Sequence, residues 1–406
     1  MSFLSDYLFF NSGNEAPENF HLWSALAVAS AVVNRKVYID WPPHRIYTNL
    51  YVLLVGDQGS RKGVAEGLAK DTVKLNFPNI PIGASVTSPQ AITKKMASIE
   101  CTHSFVDELG VSTEVHPIAF FVSELKHFLG LNQMGMIDLL TDAYDDKYIE
   151  ADYKTAGNDI IINPYITLLA CETPDWILTR LKNEMISGGF ARRIIPIYEK
   201  SIREPIPIPF QTPEMMKAQF RCISTLQKIS QKIGQVKFTP KAKDIYAKWY
   251  TDELRKPPIE PLMRGFASSK HTQMLKVATL LTLLDTDDLL LTEETILISI
   301  QLIQNTLPGM EELYKGAGRN ELARPTERLM EWLNSRGGVV AEKEFLLVAN
   351  RDMDPRESYS VLMHLKNTEQ IVILEQTLPN GNKKRLIATP VKATELASKK
   401  PSAPPT

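Results

Sequence analysis

The stretch that decides the fold is YTNLYVLLVGDQGSRKGV, which covers residues 47–64. It begins with a β-favouring run that is apolar from Leu50 onward and stops at Gly56. A short apolar run of this kind is typical of a strand buried inside a parallel sheet. A helical pattern follows over residues 61–75. A strand, a glycine-bearing loop and a helix in this order predict a loop that binds phosphate.

The loop between this strand and helix contains the residue types that phosphate binding requires. Glycines let backbone N–H groups turn toward phosphate, a lysine reaches the β and γ oxygens, and the helix N-terminus favours negative charge. The candidate binding residues are Gly56, Gly59, Ser60, Arg61, Lys62 and Gly63. Arg61 replaces a glycine of the usual motif, and Gly63 replaces the serine or threonine that usually ligates Mg²⁺. We therefore expect ATP and Mg²⁺ here, and a plain glycine-containing turn remains the alternative.

Two further apolar runs, at residues 118–122 and 166–170, predict additional strands separated by helices. Such alternation predicts an α/β sheet with helices on both faces. ATP hydrolysis also needs an acid that orients the attacking water. Glu124 follows the first run after Ser123, and we predict that it is this acid. The rival pair Asp107 and Glu108 lies upstream in a possible hairpin arm, and either acid could instead be a solvated strand end.

Two later segments carry polar groups that could act on a nucleotide. The run at 166–170 ends at CETP, residues 171–174, where a polar side chain could sense the γ-phosphate or Thr173 could cap a helix. Residues 187–193 place Arg192 and Arg193 after a pair of glycines. An arginine that reaches a neighbouring subunit's phosphate stabilises transition-state charge, although two arginines also suit an ordinary exposed loop.

Changes in composition along the chain predict four segments. Alternating prolines at residues 204–209 favour an extended crossing. The Asn380–Gly381 pair between β-favouring runs predicts a hairpin, and three short helices before it complete a winged-helix pattern. The last residues have almost nothing to bury, which predicts disorder. The predicted segments are an ATPase core at 1–205, a lid-like helical subdomain at 206–318, a winged helix at 319–392 and a disordered tail at 393–406.

The formal net charge of the 406-residue chain is -1, so the sequence lacks the overall basic character common in nucleic-acid-binding proteins. DNA contact must therefore come from local patches. The wing of the predicted winged helix carries Lys383, Lys384 and Arg385, and adjacent cations of this kind can neutralise DNA phosphates. The alternatives are a solvated hairpin and a winged helix that binds protein.

Other sequence features bear on the cellular compartment. The three cysteines show no metal-ligand spacing, which fits a reducing cytoplasm. The N-terminal residues lack the basic and apolar pattern of a signal peptide. The longest apolar stretch, residues 22–33, is too short for a bilayer, which needs roughly 20 residues. We expect a cytoplasmic protein with no membrane partner.

Seven segments over residues 18–200, taken in order and spacing, carry a resemblance that is more specific than any one motif. They are FHLWSAL at 20–26, the loop with its RKG ending at 61–63, TSPQA at 87–91, FVSEL at 121–125, IDLLTDAYD at 137–145, NPYITLL at 163–169 and GGFARRI at 188–194. Together they resemble the primase-associated P-loop ATPases of phages, plasmids and other mobile elements. This is a superfamily-3-like helicase family that is often fused to primase domains.

The resemblance implies a RecA/AAA+-like P-loop NTPase core in the cytoplasm of a bacterial host cell. It implies Lys62 as the phosphate lysine, Glu124 as the water-orienting acid and Arg193 as the arginine finger. The expected function is a helicase motor on single-stranded or forked DNA, working as a homo-oligomeric ring such as a hexamer. No primase-like segment precedes the motor, so a separate primase is an expected partner. Because Gly63 and Ser123 replace metal-binding residue types, the second hypothesis is a weakly hydrolysing initiator or helicase-loading adaptor.

Overall fold

The computed structural model describes residues 2–107, 110–153, 157–180, 189–256, 264–314, 323–351, 353–377 and 383–398. The chain divides into two compact units, Met1–Tyr314 and Lys315–Thr406. Both units combine helices with sheets. The mixed α/β class predicted from the sequence is therefore confirmed at this level.

The helices of the first unit surround its strands. They are α1 Ser2–Phe10, α2 Glu18–Val33, α3 Lys62–Asn76, α4 Pro89–Met96, α5 Leu125–Leu129, α6 Gln133–Tyr144, α7 Pro174–Arg180, α8 Pro213–Ile229, α9 Pro240–Leu254, α10 Arg264–Asp285 and α11 Glu293–Tyr314. A short 3-10 turn, Ala191–Arg193, precedes the last long strand.

The strands of the first unit are β1 Val37–Trp41, β2 His44–Tyr47, β3 Tyr51–Val55, β4 His103–Val106, β5 Ser112–Val122, β6 Ile149–Tyr153, β7 Gly157–Ile161, β8 Pro164–Glu172, β9 Ile194–Tyr198, β10 Gly234–Gln235, β11 Lys237–Phe238 and β12 Leu290–Leu291. The central sheet has five strands in the order β4-β5-β8-β3-β9. The strands β5, β8, β3 and β9 run parallel, and β4 pairs antiparallel with β5. We name the side where the parallel strands end the carboxyl edge, and the opposite side the amino edge.

Helices cover both faces of this sheet, as the apolar strand runs predict. All five residues of β3 are buried. Val52 and Leu54 lie in one core with side chains of α1, α2 and α3, whereas Tyr51, Leu53 and Val55 lie in a second core with α4, α5 and α6. Successive strand residues point to opposite faces, so one apolar strand supplies both cores.

Helix α2 is buried around most of its circumference, which explains why its sequence is apolar with only small interruptions. One of these interruptions, Ser30, accepts a hydrogen bond from the Leu50 N–H at 3.2 Å and lies 2.9 Å from the Thr167 hydroxyl. The helix ends at Asn34, whose φ of 57° is left-handed. Ser30 therefore connects α2 to the central sheet.

The segment after residue 205 differs from the all-α subdomain that the sequence predicts. The strand β10 pairs in parallel with β1, and β11 pairs with β12. Buried residues of α8 and α10 share a core with α1 and α2. The apolar faces of these helices are covered by earlier parts of the chain. The predicted segment 1–205 and the predicted segment 206–318 as far as Tyr314 therefore lie in one compact unit.

The second unit contains α12 Ala323–Ser335, β13 Val339–Ala341, α13 Glu342–Ala349, α14 Pro355–Asn367, β14 Val372–Thr377, β15 Lys383–Ala388 and α15 Pro390–Ser398. Its sheet has the order β13-β15-β14 with antiparallel pairs, over a core that includes Phe345 and Ile387. The predicted Asn380–Gly381 turn lies outside the described residues. Helix α15 extends into the segment where the sequence predicts disorder, and residues 399–406 lie outside the described residues.

The three cysteines, Cys101, Cys171 and Cys222, are free and buried. Burial raises the pKa of each thiol. Over the described ranges, we find no helix with the length and apolar character that a membrane crossing requires.

His21 of α2 makes folding of the first unit sensitive to pH. Its ring is 2% exposed, and its Nε2 lies 3.1 Å from Asn14 Oδ1. Burial, assisted by the charge of Arg203, lowers the pKa of His21 to about 4. The His21 ring therefore binds a proton near pH 6.5 in the unfolded chain but only near pH 4 in the folded chain.

We predict that His21→Gln makes the free energy of unfolding less dependent on pH between 6.5 and 4. In the wild type, His21 lowers stability by about 3 kcal/mol as the pH falls through this window, since each pKa unit corresponds to about 1.4 kcal/mol. Urea unfolding at a series of pH values measures the difference, and the exposed His44→Gln variant is the matched control. Identical pH profiles for wild type and His21→Gln would contradict the prediction.

Candidate functional site

The loop of residues 56–61 leaves β3 at the carboxyl edge and leads into α3. Gly56 donates its N–H to the Glu172 carbonyl at 3.3 Å. A Cβ at Gly56 would lie 2.6 Å from Ser60 Oγ and 2.9 Å from the Glu199 carbonyl, so only glycine fits this position. Gly59 has a φ of 85° and Arg61 a φ of 62°, both left-handed. The close approach at Gly56 and the left-handed residues turn the chain sharply into the helix.

Lys62 is the first residue of α3, and its side chain folds back over the loop. Its ammonium donates to the Gly56 carbonyl at 2.6 Å, to the Asp57 carbonyl at 2.9 Å and to Ser60 Oγ at 3.3 Å. Burial lowers the pKa of Lys62, and the acids Glu172, Asp57 and Glu124 oppose this shift. The lysine is therefore held at the centre of the loop, with carboxylates around it.

Arg61 points away from the centre of the loop. Its Nε donates to Glu15 Oε2 at 2.7 Å, and the same carboxylate accepts the Ile206 N–H at 3.0 Å through Oε1. The Arg61 hydrogen bond holds the pKa of Glu15 below its usual value. The arginine that replaces a motif glycine thus connects the loop to the segment between α1 and α2.

The surroundings of Gly63 are open. A Cβ built at this position meets no atom within 4 Å, so a larger side chain would fit there. Ser60, by contrast, is 4% exposed and supplies the buried hydroxyl of the loop. Among loop residues 56–63, Ser60 is the one that carries a hydroxyl.

The structure brings Glu124 to the same edge as Lys62. Val122 of β5 pairs with Ala170 of β8, and Glu172 of β8 pairs with Val55 of β3. Glu124, two residues beyond Val122, is therefore level with the end of β3. Adjacent strands lie about 4.8 Å apart, which places these three strand ends side by side.

The carboxylate of Glu124 is 46% exposed. Its Oε2 lies 3.1 Å from Lys126 Nζ and 3.1 Å from His127 Nδ1. Glu124 also occupies the N-cap position of α5 with an extended backbone, and its side chain makes no capping hydrogen bond. An acid with this exposure can accept a proton from solvent water or orient a water molecule.

Glu172 lies in the segment 171–174, where the sequence predicts a phosphate-sensing polar side chain without specifying the residue. It is 2% exposed. Its Oε2 accepts the Lys126 N–H at 2.9 Å, and its Oε1 accepts the Thr173 N–H at 2.8 Å. The sequence signal was available, because Glu172 ends a strand parallel to β3 and so must lie at the edge that carries Lys62.

The rival acid Asp107 lies elsewhere. It follows β4, whose Val106 pairs with Ser112 at the beginning of β5. Because β4 is antiparallel, Asp107 is at the amino edge, away from Lys62. The pairing also confirms that the segment before Asp107 is the first arm of a hairpin, and Glu108 lies outside the described residues.

Arg193 also lies at the amino edge, immediately before β9. Its Nε donates to Asp145 Oδ1 at 2.9 Å, its Nη2 pairs with Asp145 Oδ2, and its Nη1 donates to the Gly189 carbonyl at 2.6 Å. The side chain is 4% exposed. The five residues of β9, at ~3.3 Å each, separate it from the carboxyl edge by about 16 Å. The structure therefore does not bring Arg193 to the Lys62 loop of the same chain.

A cavity of about 890 Å³ opens next to Arg193, and we name it the amino-edge pocket. Its lining comes from the β1–β2 hairpin, the end of α6, the Ala191–Arg193 turn and the first half of α10. Lys276 of α10 is buried beside it, donates to the Asn49 carbonyl at 2.9 Å and lies 3.7 Å from the centre of the Tyr144 ring. Burial lowers the pKa of Lys276 far below its usual value.

In the second unit, Lys383, Lys384 and Arg385 begin β15 and are all exposed. Lys383 lies 3.5 Å from Glu375, and Arg385 lies 3.2 Å from Glu342. Alternate residues of a strand face opposite sides, so Lys384 faces away from the side that buries Ile387. Lys384 is thus the cation of the three without a carboxylate partner among the described residues.

The residues at the carboxyl edge fit one mode of Mg²⁺ binding. Among the described residues, no group of three or more His, Cys, Asp or Glu side chains could enclose a metal ion. Mg²⁺ beside nucleotides, however, is usually held by one or two carboxylates or hydroxyls together with water and phosphate oxygens. Ser60, Glu124 and Glu172 supply donors of these types near Lys62.

No protein-family model matches the chain, and a search of curated proteins gives no significant match. The roles of the residues around Lys62 are therefore inferred from their geometry and chemistry. These residues bring together a turned glycine loop, a lysine at a helix start and two strand-end carboxylates.

We predict that Glu172→Gln lowers the free energy of unfolding by about 1–3 kcal/mol, because the amide can accept only one of two buried backbone N–H bonds. The matched control is Glu124→Gln, which removes the same charge from an exposed position and should cost no more than about 0.5 kcal/mol. Chemical denaturation followed by circular dichroism measures both. Equal stability losses in the two variants would contradict the assignment of Glu172 as the structural carboxylate of this edge.

Proposed function

We propose that this protein is an ATP-dependent DNA helicase motor of a phage or mobile-element replication system, and that it acts as an oligomeric ring with ATP and Mg²⁺. The observation that carries the proposal is the grouping of the Lys62 loop with Glu124 at the carboxyl edge of a parallel sheet. Ligands of open α/β sheets bind at this edge, where connections leave neighbouring strands in opposite directions. In this sheet the connection after β3 leads to the side that holds β4 and β5. The connection after β8 leads to β9, which lies on the opposite side of β3.

The proposed nucleotide site is a P-loop of altered sequence. Its backbone turns through left-handed Gly59 and Arg61 into the N-terminus of α3, where N–H groups and the helix dipole favour phosphate. The ammonium of Lys62 donates to the loop carbonyls of Gly56 and Asp57. Phosphate oxygens would replace these neutral acceptors with charged ones, which make stronger hydrogen bonds.

The proposed reaction is hydrolysis of ATP to ADP and phosphate. The water oxygen forms a bond to the γ-phosphorus while the bond from that phosphorus to the β,γ-bridging oxygen breaks. Glu124 orients the water and accepts its proton, and Lys62 neutralises charge on the phosphate oxygens. Glu172 is a positioning residue, because its hydrogen bond to the Lys126 N–H fixes the start of α5 directly after Glu124. Mg²⁺, when bound, supplies further neutralisation of phosphate charge.

The second unit supports a role in contacting DNA. We propose that its helices and the β14–β15 pair form a winged helix whose wing lies on the DNA backbone. The exposed cations of β15 are the groups that would meet phosphates. Lys384 is free to do so, whereas Lys383 and Arg385 already lie near Glu375 and Glu342.

The second candidate function is a nucleotide-binding initiator or helicase-loading adaptor with weak hydrolysis. Two observations favour it: Gly63 offers no hydroxyl, and Ser123 stands before Glu124 where an aspartate commonly assists the metal. DNA strand separation by the purified protein alone distinguishes the two functions. Unwinding supports the motor, whereas ATP binding with negligible turnover supports the adaptor.

We predict that Lys62→Ala lowers DNA-stimulated ATP hydrolysis at least about 100-fold, because a charged donor to the transferred phosphoryl group is lost. Release of phosphate with and without single-stranded DNA measures the effect. The matched control is Lys74→Ala, an exposed lysine in the last turn of the same helix, which should retain wild-type turnover. Wild-type hydrolysis in Lys62→Ala would contradict the proposed site.

We predict that Lys384→Ala weakens binding to forked DNA and reduces the slope of log affinity against log salt by about 0.7–0.9, the value for one phosphate contact. Lys383→Ala is the matched control and should change the slope less, because Glu375 already offsets its charge. Fluorescence anisotropy over a salt series measures both slopes. Unchanged slopes in both variants would mean that the wing does not contact DNA.

A further inference from the structure

We propose that Arg192, and not Arg193, is the arginine that contacts the γ-phosphate of ATP bound to a neighbouring copy of this chain. The amino-edge pocket is then the surface that receives the neighbour's nucleotide. This inference rests on the proposed ATPase function. It differs from the role that sequence resemblance implies for Arg193.

The Arg193 guanidinium is already hydrogen-bonded and ion-paired within its own chain. Its guanidinium uses Nε and Nη2 on Asp145 and Nη1 on the Gly189 carbonyl. The side chain is 4% exposed. Reaching a second subunit would require breaking this ion pair and leaving Asp145 without its partner.

Arg192 has the opposite properties. Its side chain is exposed, and its guanidinium has no hydrogen-bond or ion-pair partner anywhere in the described ranges. Its backbone is nevertheless fixed, because the Arg192 carbonyl accepts hydrogen bonds from the Ser269 hydroxyl and from Gln273 Nε2 at 3.4 Å. Gln273 also donates to the Arg193 carbonyl at 3.0 Å. An arginine that contacts a phosphate bound to another subunit needs an unpaired guanidinium and a backbone held in one position.

The position of Arg192 excludes a contact with the nucleotide of its own subunit. It lies before β9, while the Lys62 loop follows the other end of the neighbouring strand β3. The rise of β9 alone separates the two edges by about 16 Å, which is longer than an arginine side chain. An adjacent subunit in a head-to-tail ring can place its carboxyl edge against this amino edge.

The charges of the amino-edge pocket favour an incoming anion at Arg192. Among its carboxylates, Asp145 pairs with Arg193, and Asp146 pairs with Arg35. The third, Asp40, acts electrostatically on the cation Arg45 at the rim of the pocket. Within the described ranges, no carboxylate pairs with Arg192, whose exposed side chain lines the pocket. The cavity of about 890 Å³ has room for phosphate groups projecting from a neighbouring loop.

In the proposed contact, Arg192 donates N–H hydrogen bonds to γ-phosphate oxygens and exchanges neither a proton nor an electron. Its contribution is the stabilisation of negative charge as phosphoryl transfer proceeds. Asp145 and Arg193 are positioning residues, since their ion pair holds the turn that presents Arg192.

The test uses the full chain in three forms: Arg192→Ala, Lys62→Ala and mixed oligomers of the two, isolated through two different affinity tags. Arg192→Ala should lower turnover roughly 10³-fold, as loss of an arginine finger does. Its melting temperature and its affinity for a non-hydrolysable ATP analogue should stay at wild-type values. The exposed Arg255→Ala is the matched control and should hydrolyse ATP normally.

Mixed oligomers should recover roughly a quarter of wild-type turnover, because in a random head-to-tail ring that fraction of interfaces joins an intact Lys62 to an intact Arg192. Wild-type turnover in Arg192→Ala, or mixed oligomers that remain inactive, would overturn this inference while leaving the ATPase proposal intact. Absence of hydrolysis by the wild-type protein would overturn both.

Discussion

The strand β3 is the element on which the rest of the first unit depends. It lies between β8 and β9, and its five side chains alternate between two separate cores. Burial on both faces fixes its register, because a shift by one residue would exchange the two sets of side chains. The fixed register therefore holds the Gly56 loop at the carboxyl edge, beside the ends of β5 and β8.

The sheet also separates the chemistry of the first unit into two edges. The carboxyl edge holds Lys62 with Glu172, Asp57 and Glu124 around it. The amino edge holds a cluster of cations in which Asp145 and Asp146 are already paired. The proposed head-to-tail assembly would place the carboxyl edge of one copy against the amino edge of the next.

The local sequence predicted the strands, loops and helices whose formation depends mainly on residues close to them in the chain. The apolar run and its glycine predicted β3, the loop and α3, and the apolar run before Ser123 predicted the end of β5. The contrast between Arg192 and Arg193 could not be predicted in this way. They are adjacent, and their exposure is decided by Asp145, 48 residues away from Arg193, and by Gln273 of a later helix.

The same limit applies to the segment after residue 205 and to Glu172. The helices α8 and α10 look like a separate subdomain in the sequence, because periodicity reveals an apolar face but not the element that covers it. Glu172 looks like an ordinary polar strand end, because its burial depends on the backbone of Lys126 in another element. In both cases the deciding partner is distant in sequence.

The open surroundings of Gly63 have a practical consequence. All three native cysteines are buried with raised thiol pKa values, and buried thiols of this kind react slowly. A cysteine introduced at position 63 would therefore be the preferred target of a thiol-directed fluorophore. Because a Cβ at this position meets no atom within 4 Å, the new thiol would stand clear of its neighbours in the first turn of α3. Position 63 is thus a suitable site for a label that reports on the loop of residues 56–61.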